Sequence, residues 1–98
     1  MNYKEQLKDN RWRVVAAKIR KRDGCCQKCR SKDRLEVHHL FYTYRLMAWE
    51  YNHDSLVTLC RTCHEIETDA TMYLKDQIKV MLMNGIFASE IIEKLKNG

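Results

Sequence analysis

The chain has no proline and only three glycines, at positions 24, 85 and 98, so proline-rich recognition segments and glycine-rich linkers are excluded. No apolar stretch approaches the roughly 20 residues that span a bilayer, which predicts a soluble protein with no membrane partner. No N-terminal run couples a charged start to an apolar core and a small-residue cleavage site, so a cytoplasmic location is expected. Internal repeats and low-complexity tracts are also missing.

With 98 residues the chain is expected to form a single domain, and burial alone leaves a chain of that size marginal. A staple is therefore expected. Five cysteines are present, and a reducing cytosol argues against disulfides, so they point to a metal.

Charge is distributed unevenly. Residues 1–34 carry 12 Lys/Arg against 4 Asp/Glu, and residues 35–98 carry 6 against 9, which gives +8 and −3 and sums to the formal +5. A concentrated basic half attracts polyanions, nucleic acid first among them, although a solvated lysine-rich face has the same composition.

Periodicity divides the chain into elements. After Asn10 as N-cap, Trp12, Val15, Ala16 and Ile19 recur at helical spacing until Asp23-Gly24 closes the run. The other faces of that helix carry Arg11, Arg13, Lys18, Arg20, Lys21 and Arg22, a basic side for solvent or phosphate. A polar knuckle at 25–34 leads into a β-like run at 35–38, a loop at 40–54 and a second β-like run at 56–59. Ile66, Ala70, Leu74, Ile78 and Leu82 then mark a long helix stopped by Asn84-Gly85, and Ser89 as N-cap starts a last short helix with Ala88, Ile91, Ile92 and Leu95 on one face.

Cys26-x-x-Cys29 and Cys60-x-x-Cys63 are two pairs of the spacing that lets one tight turn supply two corners of a tetrahedron. Together they predict a closed structural zinc site that joins the end of the first helix to the start of the long one. Cys25 is left over, since Cys25 to Cys29 is one residue too wide, and is expected as a small semi-buried side chain. His64 directly follows the second pair. If the two strands pair and the long helix packs across them, His38 and His64 can converge on one metal ion, with His39 pointing away toward solvent. His53 is expected at the surface and Trp12 in the core. Tyr42, Tyr44, Arg45, Trp49 and Tyr51 fit a loop that touches DNA as well as one that tucks onto the core, and Met72, Met81 and Met83 fit gap-filling as well as an oligomer face.

The stretch Trp12 to Asp23, the pair Cys26/Cys29, L-E-V-H-H at 35–39 and L-V-T-L-C-R-T-C-H at 56–64 together resemble the HNH endonucleases of the ββα-metal fold. The resemblance covers roughly residues 12–66. It implies an α+β architecture: a small zinc-stapled ββα-metal core, a two-stranded hairpin plus helix at about 10–68, with an N-terminal helix and a helical C-terminal extension at about 69–98.

By the same resemblance His39 is the general base, His38 and His64 hold a catalytic divalent ion, and the product is a nick with a 5′-phosphate. Mg²⁺ or Mn²⁺ suits such an ion, and His ligands also accept Ni²⁺, Co²⁺ or Zn²⁺. The family's Asn before the second strand is replaced by Ser55, and Asn52 and Asp54 are nearby candidates for its loop-tying task. DNA is the implied partner. A homodimer and a phage packaging or processing partner are compatible with the chain, and small members of such families occur in restriction, mobile elements and phage DNA processing. Two rival readings are a zinc-dependent DNA-binding module weak or inactive in cleavage, and a basic zinc adaptor for a protein partner.

Overall fold

The computed structural model describes residues 1–97. Helix α1 (Tyr3–Gln6) and helix α2 (Asn10–Asp23) precede strand β1 (Leu35–His39). A 3₁₀ turn (His53–Ser55) leads into strand β2 (Leu56–Cys60), which runs directly into helix α3 (Arg61–Met83), and helix α4 (Ala88–Asn97) follows. The architecture is α+β, with β1 and β2 paired as an antiparallel hairpin and the cysteine knuckle beside it, as the ββα-metal resemblance implies. Two compact units divide the chain between Glu65 and Ile66.

In the first unit the register sets Leu35 opposite Cys60, Val37 opposite Thr58, His38 opposite Val57 and His39 opposite Leu56. Side chains alternate across the sheet, so Val37, His39 and Leu56 share one face, while Glu36, His38, Val57 and Leu59 share the other. Helix α2 covers the first face: Trp12, Ala16 and Ile19 cluster with Val37, Leu56, Ala48 and Tyr51. Ile19 and Leu56 are fully buried, each worth about 1.5–3 kcal/mol by removal of its apolar surface from water. A second cluster gathers Cys26, Leu59 and Cys60 with Leu35, Val57 and Cys63.

Two helix starts differ from expectation. Asp9, not Asn10, caps α2, its carboxylate accepting the Arg11 N–H at 2.8 Å, where a negative charge also favours the positive end of the helix. Ser89 lies inside α4, because the Phe87 carbonyl already accepts from the N–H groups of Glu90 and Ile91. Helix stops follow the glycines: Gly24 and Gly85 have φ of 74° and 86°, the left-handed conformation that closes a helix. Helix α1 is a finding that periodicity did not foreshadow, being a single turn capped by the Asn2 side chain.

The second unit consists of the remainder of α3 with α4. Helix α3 buries none of its residues, and Ile66, Leu74 and Leu82 of the expected apolar stripe are exposed, as are Met72 and Met83. In α4 the Ile91 side chain is buried. No helix among the described residues is long and apolar enough to cross a membrane.

Candidate functional site

The two C-x-x-C turns meet. The sulfurs of Cys26, Cys29, Cys60 and Cys63 all lie within 4.8 Å of one another, and Cys29 Sγ is 3.6 Å from Cys60 Sγ. Thiolates at the corners of a zinc tetrahedron with bonds of about 2.3 Å stand about 3.8 Å apart, so the donor set fits a zinc ion. Each pair repeats one local device, in which the backbone N–H of Cys29 points at Cys26 Sγ and that of Cys63 at Cys60 Sγ, both at 3.5 Å. The first turn is held by Arg30 N–H to the Cys26 carbonyl and by Cys26 N–H to the Ser31 carbonyl, and Gln27 N–H anchors it to the Thr58 carbonyl of β2.

Burial opposes ionisation of Cys26, but backbone N–H groups around its sulfur bring that thiol down to about 6. The hydrogen bond with Cys60, then burial and the other two thiols, pushes Cys63 up to about 12. Four sulfurs this close cannot all carry charge alone, a conflict that a bound dication removes. Cys25 stands outside the cluster, half-buried, as its spacing required.

The sheet's second face holds a group of different chemistry. His38 is buried on β1, and its ring meets that of His64, from the first turn of α3, with centroids 5.1 Å apart and planes at 71°. The Glu36 carboxylate, two residues before His38 and hence on the same face, lies 2.8 Å from His64 Nδ1. A carboxylate oxygen accepts, so Nδ1 carries a proton toward Glu36, and Nε2 is the nitrogen of His64 left to face a ligand. The other Glu36 oxygen accepts from Arg61 Nε at 3.3 Å. Burial works against its charge, yet His64 and Arg61 hold the Glu36 carboxyl below its ordinary value. Sequence reading passed over Glu36, although its i, i+2 spacing from His38 was the available signal.

His39 points to the other face, away from His38, but not to solvent as expected: only 1 % of it is exposed. Trp12 stacks on the imidazole with centroids 4.9 Å apart and planes at 22°, and Tyr51 meets it edge-on at 4.6 Å. Both ring nitrogens are engaged, Nε2 with the Ala48 carbonyl at 3.1 Å and Nδ1 with the Tyr3 hydroxyl at 3.0 Å. Burial pushes the imidazole below its ordinary pKa against the raising effect of the Ala48 bond, so the ring is neutral near pH 7. The expectation of exposure failed because α1 and the loop tyrosines cover a position that alternation alone leaves open.

Ser55 closes the 3₁₀ turn, where its carbonyl accepts from Leu40 N–H at 2.9 Å and its N–H donates to the Asn52 carbonyl at 2.9 Å. The Asn52 side chain accepts from Asp54 N–H. The loop is thus tied beside the hairpin by backbone groups and by Asn52.

The basic residues of α2 part into two sets. Arg22 donates to the His53 carbonyl at 2.9 Å and to the Leu56 carbonyl at 2.7 Å and pairs with Asp23, and Arg11 pairs with Asp9 and lies 4.1 Å over the Trp49 ring. Arg13, Lys18, Arg20 and Lys21 are exposed. Of the loop aromatics Tyr51 is buried and Tyr44 is 94 % exposed, and His53 is exposed as expected.

The geometry gathers a four-thiol zinc cradle and a two-histidine, one-carboxylate group on the cysteine knuckle, one short hairpin and the helix that follows it. Residues 26–70 match the HNH endonuclease family. The HNH match begins at the first zinc cysteine and includes both strands and the start of α3, so the resemblance read from the sequence is borne out over that segment, with α2 outside it. No curated protein and no solved structure matches the chain.

Proposed function

We propose that the chain is a metal-dependent HNH endonuclease that hydrolyses phosphodiester bonds of DNA in the cytoplasm. The observation that carries this reading is the pairing of His38 with His64 inside the segment that matches the HNH family. His38 and His64, with Glu36 orienting the latter, are the side chains suited to a divalent ion, Mg²⁺, Mn²⁺, Ni²⁺, Co²⁺ or Zn²⁺. Such an ion, when bound, supplies positive charge against a scissile phosphate and its leaving 3′-oxygen. His39, neutral and held between Trp12 and the Ala48 carbonyl, is the proton acceptor for the attacking water. The zinc cradle is structural, since four cysteines leave no open position, and it fixes the start of α3 and so His64. Arg13, Lys18, Arg20 and Lys21 offer an exposed basic face for phosphates.

A second reading, a zinc-dependent DNA-binding module with weak or no cleavage, is favoured by the burial of His39 and by Ser55 at the family's Asn position. Nicking of supercoiled plasmid by the zinc-loaded protein across these metals separates the two. Metal-dependent nicking abolished in His64→Ala and in His39→Ala, with zinc content and circular dichroism retained, supports the endonuclease. Salt-sensitive DNA binding with no nicking in any metal supports the binding module.

A further inference from the structure

Helix α1 grips His39 from two sides. Tyr3 and Gln6 stand one turn apart on α1, with the Tyr3 hydroxyl on His39 Nδ1 and the Gln6 Oε1 accepting the Ala48 N–H at 2.7 Å. The Ala48 carbonyl in turn meets His39 Nε2. The result is a closed ring of contacts, Tyr3 to His39 to Ala48 to Gln6 and back through one helical turn.

The chemistry of these partners fixes the protons. A carbonyl oxygen only accepts, so Nε2 carries the imidazole hydrogen, and the lone pair is left on Nδ1, where the phenol must donate. Trp12, Tyr42 and Tyr51 contact the ring and bury it, and the group that stands on Nδ1 is the Tyr3 hydroxyl. Tyr3 is itself 40 % exposed and lines a cleft of about 440 Å³ with Tyr42, Thr43, Tyr44, Tyr51 and Gln6. Nor is α1 a loose lid: besides the Gln6 bond, Leu7 packs against the core cluster.

Resting on the endonuclease reading above, we infer that Tyr3 is a further functional residue, fixing the tautomer of His39 and carrying the proton from a water in the tyrosine-lined cleft to Nδ1. As the water's O–H bond breaks, its proton joins the Tyr3 oxygen while the phenol's own proton passes to His39 Nδ1. The outcome is a hydroxide, an intact phenol and an imidazolium. Hydroxide then forms the new bond to phosphorus as the bond to the 3′-oxygen breaks, the departing 3′-oxygen takes a proton from solvent, and His39 returns its extra proton to solvent.

The test is Tyr3→Phe, which keeps the ring and removes only the hydroxyl. The expected result is a fall in nicking rate of about 100-fold, the usual scale of a lost proton-transfer group, with KM for DNA, zinc content and circular dichroism unchanged. Nicking in mixtures of light and heavy water should follow a bowed dependence in the wild type, two protons moving together, and a straight line in the variant. A Tyr3→Phe protein that nicks at the wild-type rate or faster overturns the proposal, and a faster one makes Tyr3 a plug over the base. ¹⁵N spectra of the His39 ring decide the contact independently of cleavage: a hydrogen on Nε2 is expected, and one on Nδ1 overturns it. If the wild type nicks in none of the metals, the endonuclease reading fails and the relay with it, while the spectra still decide whether Tyr3 holds His39.

Discussion

Trp12 lies nearly parallel to His39 at 4.9 Å, so a core contact of α2 is also the wall of the proposed proton acceptor. Trp12→Ala should therefore cost about 3–5 kcal/mol of stability, as expected for a buried aromatic, and lower the unfolding midpoint in urea. A midpoint unchanged from wild type would show that the indole is not part of the core.

Zinc removal should unfold the first unit, because structural zinc in small domains contributes about 10–16 kcal/mol of apparent binding free energy at neutral pH. Elemental analysis should find one zinc per chain in the wild type and in Cys25→Ser, and none in Cys29→Ser. Zinc retained by Cys29→Ser would overturn the four-cysteine assignment.

Acid should weaken the hold of α2 on β2. The hydrogen bond from Arg22, and then that from the Thr58 N–H, keeps the Asp23 carboxyl below its ordinary range despite its partial burial. A depressed folded pKa contributes stability that is present above the unfolded value, about 3.9, and lost as pH falls through the folded one. The urea midpoint of the wild type should drop on acidification more steeply than that of Asp23→Asn, and parallel curves would refute the linkage.

Glu36→Gln should weaken divalent-ion binding at the histidine pair by about 10–100-fold, the usual effect of losing a carboxylate behind a ligating histidine. Titration of the zinc-loaded protein with Co²⁺ or Mn²⁺ measures this. Equal affinity in variant and wild type would leave Glu36 as no more than the ion-pair partner of Arg61.

DNA binding should lose salt dependence when the exposed basic face is neutralised. Each phosphate contact removed from duplex DNA lowers the log–log salt slope by about 0.9, so replacing Arg13, Lys18, Arg20 and Lys21 by Gln should flatten it markedly. Arg22→Gln should act chiefly on stability, since its guanidinium donates to the His53 and Leu56 carbonyls. A salt slope left intact in the fourfold variant would move the DNA surface elsewhere.

Legibility in the sequence followed range. The C-x-x-C pairs were readable because each is set by one local turn, and the separation of His38 from His39 because alternation on a strand is a property of neighbouring residues. What escaped was long-range. Tyr3 sits on a single helical turn, too short for any period to show, and reaches His39 across 36 positions. Arg22 reads as one more cation on a basic face, yet two carbonyls 31 and 34 residues away engage it. The loop tie beside Ser55 runs through backbone groups, which carry no signature in residue type.

The knuckle between α2 and β1 has Arg30 and Arg34 at φ of 69° and 50°, a left-handed conformation that costs an L-residue with a side chain about 1–2 kcal/mol. Glycine would fit both turns without that strain. The chain thus carries two guanidinium groups at positions where backbone conformation favours a residue with no side chain. Charge and conformational ease are in opposition there: relaxing these turns would remove two of the cations that make the first third of the molecule electropositive.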